Sequence, residues 1–240
     1  MKGDPRPLLA LQAIDLEIVR HQELLAENAS QQQEIMRQAS AEQQKLQAVE
    51  QQMERFRSEV GRNEQALKNH EEAKSKLLKQ SATIKKNDEY QVAMAQIAEL
   101  DSAISKGEEA VLMALEQVEK HQKVLDDTRS SHDQFKAATA VRIREAQAEH
   151  ARLERELGEL QTQRTTSASA VEPELLRRYE AVRASRTHSK RLPALVSVDE
   201  GVCARCHRQI PLQHREAALH GEIATCEGCA ALLYSEAALK

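Results

Sequence analysis

Aromatic residues are almost absent from this sequence. Of its 240 residues only Phe56, Phe135, Tyr90, Tyr179 and Tyr234 carry a phenyl or phenol ring, and there is no Trp. An enzyme core of this size normally packs many more rings, because each buries a large apolar area. Turn-forming residues are scarce too: seven glycines, five prolines, and no proline between Leu8 and Glu172. A β-sandwich, a barrel or a doubly wound α/β fold needs frequent turns, so all three are excluded and long helices are expected. No apolar run approaches the roughly 18 residues of a membrane span. The short stretch Leu8 to Leu11 is soon broken by Asp15 and Glu17, without a small-residue cleavage site, so it does not read as a signal peptide. A net charge of -4 and a pI near 6.2 argue against a general polyanion binder. The expected compartment is the cytoplasm. Cysteine is absent until 203, then occurs at 203, 206, 226 and 229. In a reducing compartment such a cluster reads as a metal site before it reads as disulfides.

What the chain does have is a heptad seam. Alternating steps of three and four from Leu11 pick out Ile14, Ile18, His21, Leu25, Asn28, Gln32, Ile35, Ala39, Glu42, Leu46, Val49, Met53, Phe56, Val60, Asn63, Leu67, His70, Lys74, Leu77, Ser81 and Ile84. A period near 3.5 sustained this long marks a coiled coil. A second seam runs Tyr90, Ala93, Ile97, Leu100, Ile104, Gly107, Val111, Ala114, Val118, His121, Leu125. It weakens through Thr128, His132, Thr139 and Arg142 and returns at Leu153, Leu157 and Leu160. The histidines on these seams read as polar positions that fix register.

Between the seams lies Lys85-Lys-Asn-Asp-Glu-Tyr90, where Asn87 or Asp88 suits a new helix N-cap. A turn near residue 84 gives two nearly equal arms and predicts an antiparallel hairpin with its tip near 80–90. The rival is one uninterrupted helix dimerising in parallel. Gly61 and Gly107 are equidistant from position 84 and would face each other in the hairpin as a hinge, each weakening its helix by roughly 1 kcal/mol relative to Ala.

Three regions are therefore expected: a coiled-coil hairpin over 1–170, a short helix and basic hinge over 171–191, and a four-cysteine ribbon over 192–240. Pro173 suits the first turn of the short helix, which holds Leu175, Leu176, Tyr179 and Val182. The hinge carries Arg177, Arg178, Arg183, Arg186, Lys190 and Arg191 against Glu180 alone. This patch suits phosphates or an acidic partner, or equally pairs with acids of the coil. In the ribbon, Cys203-Ala-Arg-Cys206 and Cys226-Glu-Gly-Cys229 form C-x2-C-x19-C-x2-C, the spacing of two zinc knuckles. Short strands are expected at 208–210 and 222–225. A module this small buries too little to fold alone, so a metal should supply its stability. Four thiolates close the shell of one structural Zn2+ and leave no position for substrate or activated water. Cys203-Ala-Arg-Cys206-His207 also matches the c-type haem attachment pattern, but that reading leaves the second pair unexplained and requires export.

Three segments together resemble a family: Leu8-Leu-Ala-Leu-Gln-Ala-Ile-Asp15, Lys86-Asn-Asp-Glu-Tyr-Gln91, and the ribbon Gly201-Val-Cys-Ala-Arg-Cys206 with Ile223-Ala-Thr-Cys-Glu-Gly-Cys229 and Leu232-Leu-Tyr234. The chain looks like the bacterial coiled-coil proteins with a C-terminal four-cysteine zinc ribbon, described as nucleic-acid-binding zinc-ribbon proteins. The resemblance implies a kinked helical hairpin, a zinc ribbon and no enzymatic activity. It also implies chaperone or adaptor work in flagellar and type III secretion, with a sigma factor, secretion components or a transcript as partners. Family members commonly carry Gly and then Arg after the fourth cysteine; here Ala230 and Ala231 stand there, which weakens the case for nucleic-acid contact by that knuckle.

The favoured function is a non-catalytic adaptor or chaperone that binds proteins. The alternative is an RNA- or DNA-binding regulator using the ribbon and the basic hinge. Against it, residues 192–240 hold four basic and six acidic side chains, and Tyr234 is their one stacking ring. No nucleophile–base grouping, phosphate loop or open metal site suggests an enzyme.

Overall fold

The computed structural model describes residues 4–184, 192–198 and 201–239. Helix α1 spans Pro5–Ser81 and α2 spans Asn87–Ser169. The two pack against each other as an antiparallel hairpin. A short helix α3 follows over Pro173–Ala184, as the position of Pro173 predicts. Then come strand β1 (Leu195–Ser197), helix α4 (Leu212–Leu219), strands β2 (Ala224–Thr225) and β3 (Leu232–Tyr234), and a 3-10 turn over Glu236–Leu239. The chain divides into two compact units. One comprises residues 34–142; the other joins residues 1–33 to 143–240.

In the 34–142 unit the seam does the packing. Leu46, Met53 and Leu125 form a buried cluster with Val49 and Val118 beside it. Every α1 seam position named above within this unit is buried or half-buried. The rings of Phe56 and His121 stack at 4.2 Å, and Asn63 donates to the Ala110 carbonyl at 3.3 Å. Both seam residues thus place a polar group inside the hairpin at a specific level. Beyond Leu125 the second seam continues through Thr128, His132, Phe135 and Thr139. Arg142 is exposed, contrary to its expected seam position, and Tyr90 is exposed too.

The tip lies inside the predicted interval. Ser81 Oγ and Thr83 Oγ1 donate to the carbonyls of Leu78 and Gln80, and the backbone N–H groups of Thr83 and Ile84 reach Gln80 and Ser81. These bonds satisfy carbonyls that the end of α1 leaves free. At the start of α2, Asn87 is already helical, so it is not the cap. Asp88 and Glu89 lie in the first turn, where the helix dipole favours them, and Glu89 pairs with Lys86 at 3.0 Å.

Gly61 and Gly107 do not face each other. A Cβ on Gly107 would meet Leu67 Cδ1 at 3.2 Å, whereas one on Gly61 would meet nothing within 4 Å. Two glycines at one level would leave a void, while Leu67 fills the gap that Gly107 leaves. Both helices are continuous through these positions.

The other unit builds its core from distant parts of the chain. Leu8 and Leu11 of α1, Val171, Leu175, Tyr179 and Val182 around α3, and Ala194, Leu195, Ile223 and Leu232 of the ribbon form one buried cluster. The boundaries expected at 170 and 191 therefore separate elements but not cores. The ribbon sheet has the order β1-β3-β2. β1 runs parallel to β3, with Leu195 opposite Leu232, and β2 runs antiparallel to it, with Ala224 opposite Leu233. The free edge of β1 is covered by a helix side chain. Gln12 Nε2 donates to the Leu195 carbonyl at 2.8 Å, and Leu195 N–H donates to Gln12 Oε1 at 2.7 Å. One amide thus supplies the donor and acceptor of a missing strand residue.

Candidate metal centre

The two Cys-x-x-Cys segments fold into matching turns. In the first, Cys203 N–H donates to the Arg208 carbonyl at 2.9 Å and His207 N–H to the Cys203 carbonyl at 2.8 Å. In the second, Cys226 N–H donates to the Ala231 carbonyl and Ala230 N–H to the Cys226 carbonyl, both at 2.8 Å. Each turn closes on a residue in the left-handed region: His207 at φ 57 and Ala230 at φ 59. This conformation reverses the chain at once and aims two sulfurs to the same side. The first turn is further held by the Val202–Gln209 bridge. The strand expected at 208–210 is reduced to that one pairing, and the strand expected at 222–225 to Ala224–Thr225.

The four sulfurs converge within 4.8 Å of one another. Cys203 Sγ lies 3.7 Å from Cys229 Sγ, and Cys206 Sγ lies 3.7 Å from Cys226 Sγ. A disulfide requires about 2.05 Å, so neither pair is one. A tetrahedron with metal–sulfur bonds of roughly 2.3 Å has edges of about 3.8 Å, close to the observed spacing. The donor set and its geometry therefore fit a thiophilic metal ion such as zinc. Among the described residues the grouping consists of the four cysteines alone; His207 is not part of it.

Electrostatics separate the thiols. Burial pushes the Cys229 thiol up to about 12 and raises that of Cys203. Burial also opposes ionisation of Cys206, but the Arg208 backbone N–H and the neighbouring thiols outweigh it and lower its pKa. A metal ion entering this site must displace protons from the raised pair. Around the sulfurs, Val196, Val198, Ile210, Ala218, Ala231 and Leu233 close an apolar shell.

Of the expected hinge cations, the three described arginines each contact other groups of the protein. Arg177 is exposed and pairs with Glu174. Arg178 donates to Thr225 Oγ1 at 2.8 Å and to the Ile223 carbonyl at 3.3 Å, tying α3 to β2. Arg183 pairs with buried Asp15 and lies 5.8 Å from the centroid of the Tyr179 ring. Arg186, Lys190 and Arg191 lie outside the described residues.

Sequence reasoning missed the network centred on Asp15. This carboxylate accepts from Arg164 Nε at 2.6 Å and from Tyr179 OH at 2.8 Å, besides its pair with Arg183. Arg164 also reaches Glu180. Burial, reinforced by the Asp15 charge, holds the Tyr179 phenol well above its ordinary range. The available signal was Asp15 itself, an acid four residues after Leu11 on an otherwise apolar helix face.

No protein-family model matches the chain, and no curated protein matches it. Solved structures do. The CT398 protein from Chlamydia trachomatis is 20% identical, with a TM-score of 0.84 over 96% of this chain and 97% of that one. A protein from Mycobacterium smegmatis is 17% identical, with a TM-score of 0.78 over 98% and 100%. The HP0958 protein from Helicobacter pylori is 15% identical, with a TM-score of 0.55 over 98% and 99%. At these identities the likeness establishes a shared fold and nothing further.

Proposed function

We propose that this chain is a non-catalytic adaptor or chaperone that uses one structural zinc ion and a long helical hairpin to bind other proteins. The observation that carries the reading is the closed set of four converging thiols. Four protein ligands satisfy a tetrahedral ion, so the metal would shape the ribbon and leave no open coordination position for chemistry. Free thiols of this kind belong in a reducing compartment, which supports a cytoplasmic protein. Among the described residues, no helix is long and apolar enough to cross a membrane.

The hairpin supplies a surface for partners. In α2, Leu112 and Met113 are 60% and 58% exposed, Leu115 is exposed nearby, and Glu108, Glu109, Glu116 and Glu119 flank them. Exposed large apolar groups bordered by charge suit recognition of another protein. The partner class suggested by the family resemblance is regulatory and secretion-linked proteins, including a sigma factor or secretion-system components. The test is capture from nuclease-treated native lysate with the full chain and with a Leu112→Ser, Met113→Ser, Leu115→Ser variant. A partner retained by the former and lost by the latter supports the reading; loss of all captured protein on nuclease treatment would overturn it.

The second reading, a nucleic-acid-binding regulator, rests on Arg177 of the described residues and on Arg186, Lys190 and Arg191. Arg178 and Arg183 are committed to contacts within the protein. Charge reversal for this reading is therefore best made at Arg177, Arg186, Lys190 and Arg191. Submicromolar RNA or DNA binding near 150 mM salt that this reversal removes would place nucleic-acid recognition first, and log affinity should then fall linearly with log salt.

A further inference from the structure

Arg208 leaves the first cysteine turn and lies across the second. A Cβ added to Gly228, between Cys226 and Cys229, would sit 3.0 Å from Cδ and Nε of Arg208 and 3.2 Å from its Cζ. Gly228 is not among the residues with positive φ, so its backbone does not itself require glycine. What the absent side chain provides is room for the guanidinium. The corresponding position in the first turn, one residue before the second cysteine, is Arg205. It is 8% exposed, and its Nε and Nη1 have no hydrogen-bond partner. Among the described residues neither arginine pairs with a carboxylate.

A buried guanidinium without a counter-charge is costly. Four thiolates on one divalent ion carry a formal charge of -2, and two guanidinium groups balance it. We propose that Arg205 and Arg208 are the counter-cations of the loaded metal centre, and that Arg208, seated over the second turn by Gly228, governs how tightly the centre keeps its metal. This inference rests on the reading that the site holds zinc. Positive charge beside the thiolates stabilises them against protonation, so it slows the step in which a proton or a competing chelator frees a sulfur. Arg208 is exposed and Arg205 buried, so the share due to Arg208 is screened by salt.

The test uses the full chain loaded with zinc and follows metal transfer to a chromophoric chelator at low and at 1 M salt. Arg208→Gln and Gly228→Ala should each accelerate zinc loss about tenfold at low salt. The double variant should be no faster than either, Arg208→Lys should stay near the parent rate, and the differences should shrink at high salt. Helical circular dichroism checks that each variant is folded. Zinc loss from Arg208→Gln at the parent rate, or additive effects of the two substitutions, would overturn the proposal. A parent chain that takes up no zinc on reconstitution would overturn the zinc reading instead.

Discussion

Asp15 is 2% exposed at its side chain, yet two arginines and a tyrosine converge on it. Taking one member out of a buried charge network leaves the others unpaired, at about 3–5 kcal/mol. Asp15→Ala should therefore destabilise the 1–33/143–240 unit by about that amount, measured by urea unfolding followed by tyrosine fluorescence in a Tyr90→Phe background, where Tyr179 and Tyr234, both of this unit, are the remaining rings that report. Restoring most of the stability by Asp15→Glu would show that charge, and not packing alone, is responsible. A second residue-scale expectation concerns Ala230. It holds φ 59, a conformation that costs an L-residue roughly 1–2 kcal/mol. Ala230→Gly should relieve about 1 kcal/mol and raise the thermal midpoint of the ribbon, since glycine populates this region freely. A lowered midpoint would mean that Ala230 contributes packing worth more than the strain.

Within the hairpin, register is the property to test. Cysteines at positions 67 and 107 should form a disulfide within one chain, because Gly107 lies against Leu67. Cysteines at 61 and 107 should not, and a crosslink there would mean a different register. Gly61→Ala faces open space and should raise the melting temperature of the hairpin by stabilising its helix by roughly 1 kcal/mol. Gly107→Ala should gain less, because its new methyl meets Leu67 at 3.2 Å. Helices, tip and four thiols were legible because each rests on a pattern local in sequence: a seam of threes and fours, a polar interruption, a pair of Cys-x-x-Cys turns. The level at which Gly107 meets Leu67 was not, since many shifts of one seam against another look equally apolar. Strands β1 and β3 are three residues each, too short to show an alternation. The roles of Gln12 and Asp15 were hidden for another reason: their partners Leu195 and Tyr179 lie 183 and 164 residues away.

For the whole molecule, metal removal should be felt beyond the ribbon. Val171, Leu175 and Tyr179 share a core with Leu195 and Leu232, so chelation should raise hydrogen exchange in α3 and the first turns of α1. Residues 34–142, a separate compact unit, should keep their protection. The pH dependence should differ in sign between the two forms. Without metal, burial favours the neutral Cys229 thiol, whose pKa is raised from 9.0 to about 12. That stability is present below pH 9 and is lost as pH rises through the raised value. With metal the thiolate is the bound form, so protons compete and stability falls as pH falls. Thermal scans of both forms between pH 6 and 10 check this, and parallel trends would argue against thiolate ligation. The Gln12 contact also has a temporal meaning. A ribosome releases residue 12 long before residue 195, and the bond between them closes one of the longest loops in the chain. Until residues 171–232 arrive, Leu8 and Leu11 lack the core that buries them. A truncated or metal-starved chain would therefore leave Leu8 and Leu11 less well covered, and chaperones and proteases that read exposed apolar segments could distinguish it from a finished molecule.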